Sequence, residues 1–353
     1  MIFFDISAIV GFKSHTLRGI GRLVKGFYRS IKHTTPTVAF LPFCQNAFFD
    51  RLISHLPKGR DILKNNINYP INAYLKMSRE DLAIIPSQTD TPFFFPRKYL
   101  TIVCDIIPFK YPDLYGAKSN PFRYRVSRFL ERKGILNSFH IIAISEAVKK
   151  DLITFFGLPS DKISVVNPGI DKIFIENFSV QASENQNKRF IYYGGTDNRK
   201  NLSLILALSK IFPSFRFDLI VPGNPFKNSL PDNLRILSPC SDEDLVMHLK
   251  NSDGLIFPSL DEGFGFPVFE SAALGVPVIA NDLPSYSSLF GDSIWTFSKD
   301  IKSAADTLAT FLNESKSVKT GKLIAARRIA EKFSWENAVA SLRNVLCSLG
   351  YNV

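Results

Sequence analysis

The chain has 353 residues, of which 45% are hydrophobic and 21% charged, and this balance is typical of a folded globular protein rather than a disordered one. No stretch reaches the roughly 20 apolar residues of a membrane-spanning helix, and the apolar start of the chain lacks the basic lead of a secretory signal. The four cysteines are scattered without the spacing of metal ligands, which favours reduced thiols and a cytoplasmic protein.

The net charge of +11 comes from the first half of the chain. Residues 1–170 contain 24 Lys and Arg against 12 Asp and Glu, whereas residues 171–353 contain 19 against 20. The densest basic stretch is RYRVSRFLERK at 123–133, where three arginines recur near helical spacing beside apolar residues. This pattern fits either a solvated helix face or a surface that meets an anionic membrane or a phosphorylated acceptor, and these interpretations stay open. Nucleic acid is disfavoured as a partner, because the chain has no zinc finger, RNP-type motif or basic-region heptad.

Short apolar runs alternate with helix-like segments along the whole chain. In the first half, the strand-like runs are MIFFDIS, TVAFLP, DLAIIPS, LTIVCDII, FHIIAIS and ISVVNPG. In the second half, they are RFIYYGG, RFDLIVPG, NLRILSP, GLIFPS, PVIAN and SIWTF. The alternation predicts an α/β protein with two doubly wound, Rossmann-like parallel sheets. Ligands of such sheets bind beyond the carboxyl ends of the strands, so two sheets facing a cleft would accommodate two substrates.

The first strand-like run is followed by RGIGR at 18–22. Gly19 and Gly21 are expected in a loop between this strand and a helix, where the backbone can approach a ligand closely. A G-x-G pattern is weak by itself, and the alternative is a turn without a binding role.

A second segment with binding potential is GGTDNRKN at 194–201. Gly195 ends a strand, and Arg199 and Lys200 stand at the start of the amphipathic stretch that follows. Two fixed cations can hold a diphosphate and stabilise charge that develops on it. Without further context, such a pair would be interpreted as two solvent-exposed side chains at a turn, a solvated corner without a binding role.

The acidic run Asp242-Glu243-Asp244 resembles a metal-binding motif at first sight. It follows Ser241 and precedes LVMHLK, which predicts the acidic first turn of a helix. We therefore expect no metal site.

The most informative segment is SLDEGFGFPVFESAALGVPVIAN at 259–281. It places two carboxylates, Glu262 and Glu270, on either side of a Gly-Phe-Gly-Phe-Pro turn with seven residues between them. The spacing puts them on opposite sides of a strand-to-helix junction, so that one can contact a sugar and the other a nucleotide. The alternative is that Glu270 only favours the first turn of a helix and Glu262 is a solvated loop acid.

The turn itself predicts where the helix begins and ends. Gly263 and Gly265 permit backbone conformations that side chains disfavour, and Pro267 suits the first turn of a helix. A helix is therefore expected from near Phe266 to a stop at Gly275. The N–H groups at its start would bind an anion such as a sugar diphosphate.

This acidic motif closely resembles the E-x7-E signature of retaining glycosyltransferases of family 4, which have the GT-B architecture. The resemblance extends over nearly the whole chain, because six further blocks stand in the family's order. These blocks are RGIGR, TIVCDIIPFKYPDLY, IIAISEAVKKDL, VVNPGID, YYGGTDNRKNLSLILAL and KFSWENAVASLRNVL. The chain is identified as a member of this family, in a mannosyltransferase-like subgroup.

The resemblance implies a domain organisation. Residues 1–180 would form an acceptor-binding Rossmann-like domain, and residues 188–333 a nucleotide-sugar-binding one. The polar segment 181–190 would link them. Residues 334–353 would form a helix that crosses back and packs on the first domain.

The resemblance also implies a role for each matched residue. Glu262 would position the transferred sugar, while Arg199 and Lys200 would stabilise the diphosphate. Asp105 would be a further catalytic residue, and Glu270 would bind the ribose. The remaining donor-binding residues are Gly19, Gly21, Gly195, Gly263, Phe264, Gly265 and Phe266.

One position departs from the family pattern in a way that affects the donor sugar. Relatives carry His-Asp where this chain has Cys104-Asp105. Cysteine is smaller than histidine, is a weak hydrogen-bond donor and has no positive charge at neutral pH. The alternatives are a donor with a different hydroxyl pattern, such as a deoxy-sugar, compensation by a nearby group, or reduced activity.

The resemblance implies transfer of a hexose, with mannose favoured, from a nucleotide-diphosphate sugar to a lipid-linked or polysaccharide acceptor in surface polysaccharide biosynthesis. GDP-mannose is the favoured donor, ahead of UDP-hexoses and deoxy-sugar donors, and no metal or other cofactor is expected. The enzyme would be cytoplasmic, at the inner face of the membrane.

Three alternatives remain. The chain could be a catalytically silent GT-B-like subunit that binds a membrane or a partner, or a sugar-nucleotide epimerase. Glycoside hydrolysis is disfavoured, because its two carboxylates lie across one sugar at roughly 5–10 Å, whereas the motif assigns Glu270 to the nucleotide.

Overall fold

The computed structural model describes residues 1–9, 19–32, 37–42, 60–180, 188–226 and 229–352, with the backbone alone for residues 60–65 and 90. Most of the expected linker, residues 181–187, lies outside the described residues, as does Arg18 of the RGIGR block. The chain divides into two compact units. Unit 1 comprises Met1–Gly169 and Trp335–Val353, and unit 2 comprises Ile170–Ser334.

Unit 1 is built on a six-stranded parallel sheet with the order β2-β1-β3-β4-β5-β6. Its strands are β1 Ile2–Asp5, β2 Val38–Leu41, β3 Leu82–Ile85, β4 Lys98–Val103, β5 His140–Ala143 and β6 Ile163–Val165. The four residues of β3 are all buried, as expected for a parallel strand that is covered on both faces. The helices of this unit are α1 Gly19–Lys32, α2 Arg60–Lys76, α3 Ile107–Lys110, α4 Pro121–Asn137, α5 Glu146–Phe156 and α13 Trp335–Ser348.

Unit 2 contains a second six-stranded parallel sheet, with the order β12-β11-β10-β7-β8-β9. Its strands are β7 Arg189–Tyr193, β8 Arg216–Ile220, β9 Leu234–Leu237, β10 Gly254–Phe257, β11 Val278–Asn281 and β12 Trp295–Phe297. Its helices are α6 Lys172–Glu176, α7 Leu202–Ile211, α8 Asp242–Lys250, α9 Phe266–Leu274, α10 Ser287–Phe290, α11 Ile301–Asn313 and α12 Lys316–Ala330. Eleven of the twelve described strands lie within the predicted runs, whereas β4 begins at Lys98, two residues before the run LTIVCDII.

The acidic run at the start of α8 is a helix terminus, as predicted. The helix begins at Asp242, and Ser241 Oγ accepts the N–H of Asp244 at 3.1 Å. Three carboxylates in the first turn stabilise the positive end of the helix dipole.

The closing helix α13 packs on α1 and belongs to unit 1. The ring of Trp335 meets the ring of Phe27 edge-on, with centroids 5.5 Å apart. A Cβ atom built at Gly26 would lie 2.0 Å from the Trp335 ring, so only glycine leaves room for the indole.

The division between the units falls at Gly169, eleven residues before the expected end of the first domain at 180. Residues 170–180 belong to unit 2 because they are bonded to α9 and α12. The N–H of Ser179 donates to the Leu274 carbonyl at 3.1 Å. Arg327 Nη1 donates to the carbonyls of Ile175 and Ala273, each at 2.8 Å.

The RGIGR segment differs from the expected loop. Gly19 and Gly21 lie in the first turn of α1, and Gly21 is buried. Each glycine costs a helix about 1 kcal/mol relative to alanine. Burial of Leu23, Val24 and Phe27 on the same helix offsets this cost.

None of the described helices is both long enough and apolar enough to cross a lipid bilayer.

Candidate functional site

The strand order of unit 2 places a candidate site between β7 and β10. These two strands are neighbours, but the chain continues from β7 towards β8 and β9 and from β10 towards β11 and β12. The connections therefore leave the two strands in opposite directions. Such a switch point opens a crevice beyond the carboxyl ends of the strands, where ligands of parallel sheets bind.

The segment after β7 brings a cation pair to this crevice. The chain leaves the strand through Gly194, whose φ of +145° favours glycine, and forms one 3₁₀ turn at Asn198–Lys200. Asn201 then adopts a left-handed conformation with a φ of +51°, and α7 follows. The cation pair thus precedes the helix by one turn instead of opening it.

The segment after β10 supplies the acid that meets both cations. Glu262 Oε1 lies 2.5 Å from Lys200 Nζ and 2.9 Å from Arg199 Nη1. The same oxygen accepts a hydrogen bond from Ser259 Oγ at 2.6 Å. Side-chain exposure is only 9% for Glu262, 10% for Lys200 and 16% for Arg199. The interpretations as a solvated loop acid and a solvated corner are therefore wrong.

The protonation states of this cluster follow from its charges. Burial acts to raise the pKa of Glu262, but the charges of Arg199 and Lys200, with hydrogen bonds from Lys200 and Ser259, lower this pKa to about 2. Burial lowers the pKa of Lys200, and Arg199 adds to this effect, while Glu262 opposes it. With both cations and Glu262 ionised, these three side chains carry two positive charges and one negative charge, and the charge of Asp197 also acts on Lys200.

Backbone contacts fix the two segments against each other. Arg199 Nη1 donates to the carbonyl of Asp261 at 3.0 Å, and the N–H of Leu260 donates to the carbonyl of Arg199 at 2.8 Å. Asn281 Nδ2, at the end of β11, donates to the carbonyl of Ser259 at 2.9 Å. The cation pair is therefore preorganised rather than mobile.

Glu270 lies five residues into α9 and is 1% exposed. Its Oε2 accepts a hydrogen bond from Tyr193 Oη at 2.7 Å. The same hydroxyl approaches the Pro267 carbonyl at 3.3 Å. A glutamate that only favoured a helix terminus would be exposed, so this carboxylate has a defined place beside the last residue of β7.

The turn between the two glutamates is shaped by glycine and by close packing. Gly265 has a φ of +92°, and a Cβ there would lie 3.0 Å from Tyr286. Phe264 is 2% exposed and stacks on Phe269 with centroids 4.1 Å apart. Phe264 therefore reaches a ligand only through its backbone. Helix α9 begins at Phe266 and ends before Gly275, as predicted.

Gly195 lies beside the cation pair. Its carbonyl accepts a hydrogen bond from Tyr192 Oη at 2.8 Å. Tyr192 in turn stacks on Phe257 of β10 at 6.1 Å, and Lys200 Nζ stands 5.3 Å from the centre of that ring. Aromatic packing thus joins β7, β10 and the lysine beneath the crevice.

Cys104 and Asp105 belong to unit 1, at the carboxyl end of β4. Gln88 holds their backbone at both ends, because its Oε1 accepts the N–H of Cys104 at 3.0 Å and its Nε2 donates to the Asp105 carbonyl at 2.9 Å. Asp105 Oδ1 accepts the N–H of Ile107 at 3.1 Å, at the start of α3. Cys104 is 8% exposed.

Several residues that contact the predicted site residues carried no sequence signal strong enough to identify them. Ser259 stands three residues before Glu262 within the acidic segment, and this spacing is its only signal. Tyr193 and Gln88 were inconspicuous, because hydroxyl and amide side chains at strand ends are common.

The two units are Rossmann-like, and unit 2 carries a buried cation pair at its switch point. Residues 174–324 match the family model for glycosyl transferases group 1, and residues 45–173 match the model for glycosyltransferase family 4. The chain therefore belongs to glycosyltransferase family 4.

Curated relatives are similar over part of their length. The O-antigen chain mannosyltransferase RfbU of Salmonella typhimurium is 28% identical over an alignment of 200 residues, and the match covers 54% of this chain and 54% of its own length. The O-antigen chain mannosyltransferase B of Escherichia coli is 24% identical over 58% of this chain and 59% of its own length. The capsular polysaccharide biosynthesis glycosyltransferase CapM of Staphylococcus aureus is 25% identical over 82% of this chain and 84% of its own length. The chain thus spans little more than half of the first two relatives.

Solved structures match nearly the whole chain. WaaG, a glycosyltransferase involved in lipopolysaccharide biosynthesis, has a TM-score of 0.71 and 13% identity, and the match covers 97% of this chain and 98% of WaaG. Sucrose-phosphate synthase from Thermosynechococcus elongatus also has a TM-score of 0.71, with 14% identity over 99% of this chain and 98% of its own. These matches confirm the GT-B fold that the sequence predicts.

Proposed function

We propose that the protein is a retaining glycosyltransferase, which moves a hexose from a nucleotide-diphosphate sugar to a saccharide acceptor. One observation carries the proposal: Arg199, Lys200 and Glu262 form a buried cluster of two cations and one acid at the switch point of unit 2.

The cation pair is suited to bind the diphosphate. Ionised donors form short, strong hydrogen bonds to phosphate oxygens, and the N–H groups at the start of α9 add the positive end of a helix dipole. Because the cations are fixed before the donor arrives, they stabilise the leaving diphosphate without reorganisation as the glycosidic bond breaks.

Glu262 is suited to bind the sugar and is a poor proton acceptor. Its described hydrogen bonds and ion pairs all end on Oε1, so Oε2 is the oxygen that can accept sugar hydroxyls. A carboxylate with a pKa of about 2 holds almost no proton near neutral pH and has little basicity. Glu262 therefore orients the sugar and does not act as the general base.

The chemical step then needs another base. The bond between the anomeric carbon and the diphosphate oxygen breaks, and a bond from the acceptor oxygen forms on the same face of the sugar. The acceptor proton goes to the departing phosphate oxygen, which gains negative charge as the old bond lengthens. Atoms and charges balance without a covalent sugar–enzyme intermediate, and the anomeric configuration is retained.

Glu270 is proposed to bind the ribose. The hydrogen bond from Tyr193 fixes the buried Glu270 carboxylate in place. Hydrogen bonds from the ribose hydroxyls to this carboxylate would be strong, because water does not compete for it there. Gly195 and the backbone from Gly263 to Phe266 are proposed to complete the donor site.

The donor sugar is proposed to be mannose, carried by GDP. Support comes from the names of the relatives RfbU and mannosyltransferase B and from the DIIPFKYP segment that follows Cys104. UDP-hexoses and deoxy-sugar donors are the next choices. One similar solved structure, HepE of Anabaena, contains UDP and glucose, and Cys104 offers less to hydrogen-bond than histidine does.

The acceptor is proposed to be a lipid-linked saccharide of surface polysaccharide biosynthesis, bound by unit 1 with Asp105 near it. The relatives RfbU, CapM and WaaG support this class, since their names refer to O-antigen, capsule and lipopolysaccharide. The transferase would act at the cytoplasmic face of the membrane. No metal is proposed, because the two cations already supply the charge that a divalent ion would bring to the diphosphate.

A second candidate is a catalytically silent subunit of the same fold, which Cys104 favours. Thermal shift and donor hydrolysis with GDP-, UDP- and dTDP-sugars distinguish the two. The transferase proposal predicts stabilisation by one nucleotide family and slow hydrolysis that Glu262→Ala and Lys200→Ala abolish. Lys210→Ala, which removes an exposed lysine on α7, is the matched control and should behave like the wild type. If none of these nucleotide sugars bound, the proposal of a catalytically silent subunit would be favoured over the transferase proposal.

A further inference from the structure

Ser259 is a buried residue between β10 and Glu262, and its hydroxyl meets the carboxylate of that acid. Its Oγ lies 2.6 Å from Glu262 Oε1, 3.2 Å from the Asp261 carbonyl and 3.4 Å from the Arg199 carbonyl. A serine hydroxyl has one proton to donate, and the shortest of these distances leads to a charged oxygen. The proton of Ser259 therefore goes to Glu262.

This hydrogen bond gives Glu262 Oε1 a third donor. Lys200 Nζ and Arg199 Nη1 reach the oxygen from the segment after β7, whereas Ser259 reaches it from the segment that carries Glu262 itself. The carboxylate cannot rotate without breaking some of these bonds. The three donors together thus set the position of the second oxygen, Oε2.

Asn281 and Tyr286 hold the backbone of Ser259 in place. Asn281 is the last residue of β11, and its Nδ2 donates to the Ser259 carbonyl at 2.9 Å. Tyr286 Oη donates to the Asn281 carbonyl at 2.6 Å. Both side chains are buried. A chain of hydrogen bonds therefore runs from Tyr286 through Asn281 and Ser259 to Glu262.

Tyr286 also supports the glycine turn that follows Glu262. A Cβ atom built at Gly265 would lie 3.0 Å from the Tyr286 ring, so the ring packs directly on the turn. Burial raises the pKa of Tyr286 well above its ordinary value of 10, and the charge of Glu262 adds to this effect. The hydroxyl consequently stays protonated and remains a donor at neutral pH.

We propose that Ser259 is a positioning residue for Glu262, and that Asn281 and Tyr286 support it in this role. Ser259 keeps Glu262 Oε2 turned towards the transferred sugar while the bond from the anomeric carbon to the diphosphate breaks. The inference rests on the proposed transferase function and adds the residues that set the geometry of the sugar. Because a small displacement of a positioning group costs a large factor in rate, loss of Ser259 should slow the reaction more than it weakens binding.

The variant Ser259→Ala tests this proposal in the full chain. Its kcat for hydrolysis of the GDP-, UDP- or dTDP-sugar that the wild type accepts should fall at least about tenfold, the value of one hydrogen bond to a charged group. The KM for this donor, and the Kd for the nucleotide by isothermal titration, should stay within about threefold, since Arg199, Lys200 and Glu270 remain.

Ser252→Ala is the matched control for a structural effect. Ser252 is also buried, it precedes β10 whereas Ser259 follows it, and its Oγ donates to the Leu249 carbonyl at 2.7 Å. Thermal unfolding should show similar destabilisation of the two variants, while Ser252→Ala keeps the kcat of the wild type. Equal kcat values in the two variants would overturn the proposal.

A second variant removes one hydroxyl further along the chain of hydrogen bonds. Tyr286→Phe keeps the ring against Gly265 and should lower kcat about threefold with the nucleotide Kd unchanged. If Ser259→Ala does not fold, Tyr286→Phe decides alone, and a wild-type kcat in this variant would overturn the proposal.

Failure of this inference is distinguishable from failure of the transferase proposal. A wild type that hydrolyses none of the nucleotide sugars would overturn both. An active wild type together with a wild-type kcat in Ser259→Ala would overturn this inference alone.

Discussion

Lys200 and Glu262 stand 62 residues apart in the chain and form a buried ion pair, with Nζ 2.5 Å from Oε1. Arg199 joins the same oxygen at 2.9 Å. The ion pair stabilises the crevice, and Arg199 supplies a second cation beside it. Removing any one of these three side chains would change both the stability of unit 2 and its affinity for an anion. Each experiment on this cluster therefore needs a measurement of stability as well as one of binding or activity.

Replacing Glu262 by glutamine should destabilise unit 2 by about 3 kcal/mol near neutral pH, because it leaves two buried cations without their acid. The pKa of Glu262 falls from the ordinary 4.5 to about 2 in the folded chain. Its stabilising contribution is therefore complete above pH 4.5 and is lost as the pH falls towards 2. Urea unfolding should give a difference in the free energy of unfolding between wild type and Glu262→Gln that is constant from pH 7 to pH 5. This difference should become smaller below pH 5. If the difference in the free energy of unfolding became larger at lower pH, this would contradict an ionised Glu262 in the folded protein.

Lys200→Ala should lower turnover by about 100-fold, as expected when a preorganised group that stabilises the leaving diphosphate is removed. Initial rates of donor hydrolysis measure this effect. Lys210→Ala removes an exposed lysine ten residues further along and should keep the wild-type rate. Comparable rates for the two variants would mean that Lys200 has a structural role alone.

Tyr193→Phe should weaken nucleotide binding by about fivefold, the value of one hydrogen bond of roughly 1 kcal/mol. The hydroxyl orients Glu270, and Glu270 is assigned to the ribose, so KM should rise while kcat changes little. Tyr124→Phe is the matched control, because it removes a partly buried hydroxyl that donates to the Pro108 carbonyl in unit 1. An effect on kcat alone would argue against a role in nucleotide binding.

Gly26→Ala should destabilise unit 1 by at least about 1–3 kcal/mol, because the new methyl group would overlap the ring of Trp335. Thermal unfolding measures the change. Gly321→Ala, in the interior of α12 with open space around the new methyl group, should instead be neutral or stabilise by up to about 1 kcal/mol. A Gly26→Ala variant as stable as the wild type would contradict the packing of α13 on α1.

Chelation with EDTA should leave donor hydrolysis unchanged, since Arg199 and Lys200 supply the positive charge at the diphosphate. Activity that disappears with EDTA and returns with Mg²⁺ or Mn²⁺ would contradict this assignment.

The strands and the acidic motif could be predicted from sequence for a physical reason. Parallel strands covered on both faces are continuous apolar runs, and β3, β5, β10 and β11 are buried at every position. Gly265 precedes helix α9 and Gly275 follows it, so the first and last residues of this helix could also be predicted from the sequence. Local sequence signals were sufficient wherever the structure depends on neighbours in the chain.

The remaining features depend on contacts between distant segments. The pairing of Glu262 with Lys200 joins two loops that only the order of the sheet brings together. Glycines at 19 and 21 suggested a loop, yet burial of the apolar face of α1 produced a helix. The exposure of Phe129 on α4 could not be predicted either, because its apolar character fits a core as well as an exposed helix face.

The central claim is that the cation pair holds a nucleotide diphosphate, and isothermal titration with GDP and UDP tests it most directly. One nucleotide should bind wild type and Lys210→Ala with the same Kd, and Lys200→Ala at least about tenfold more weakly. Equal affinity in Lys200→Ala, or binding of neither nucleotide to the wild type, would contradict the account.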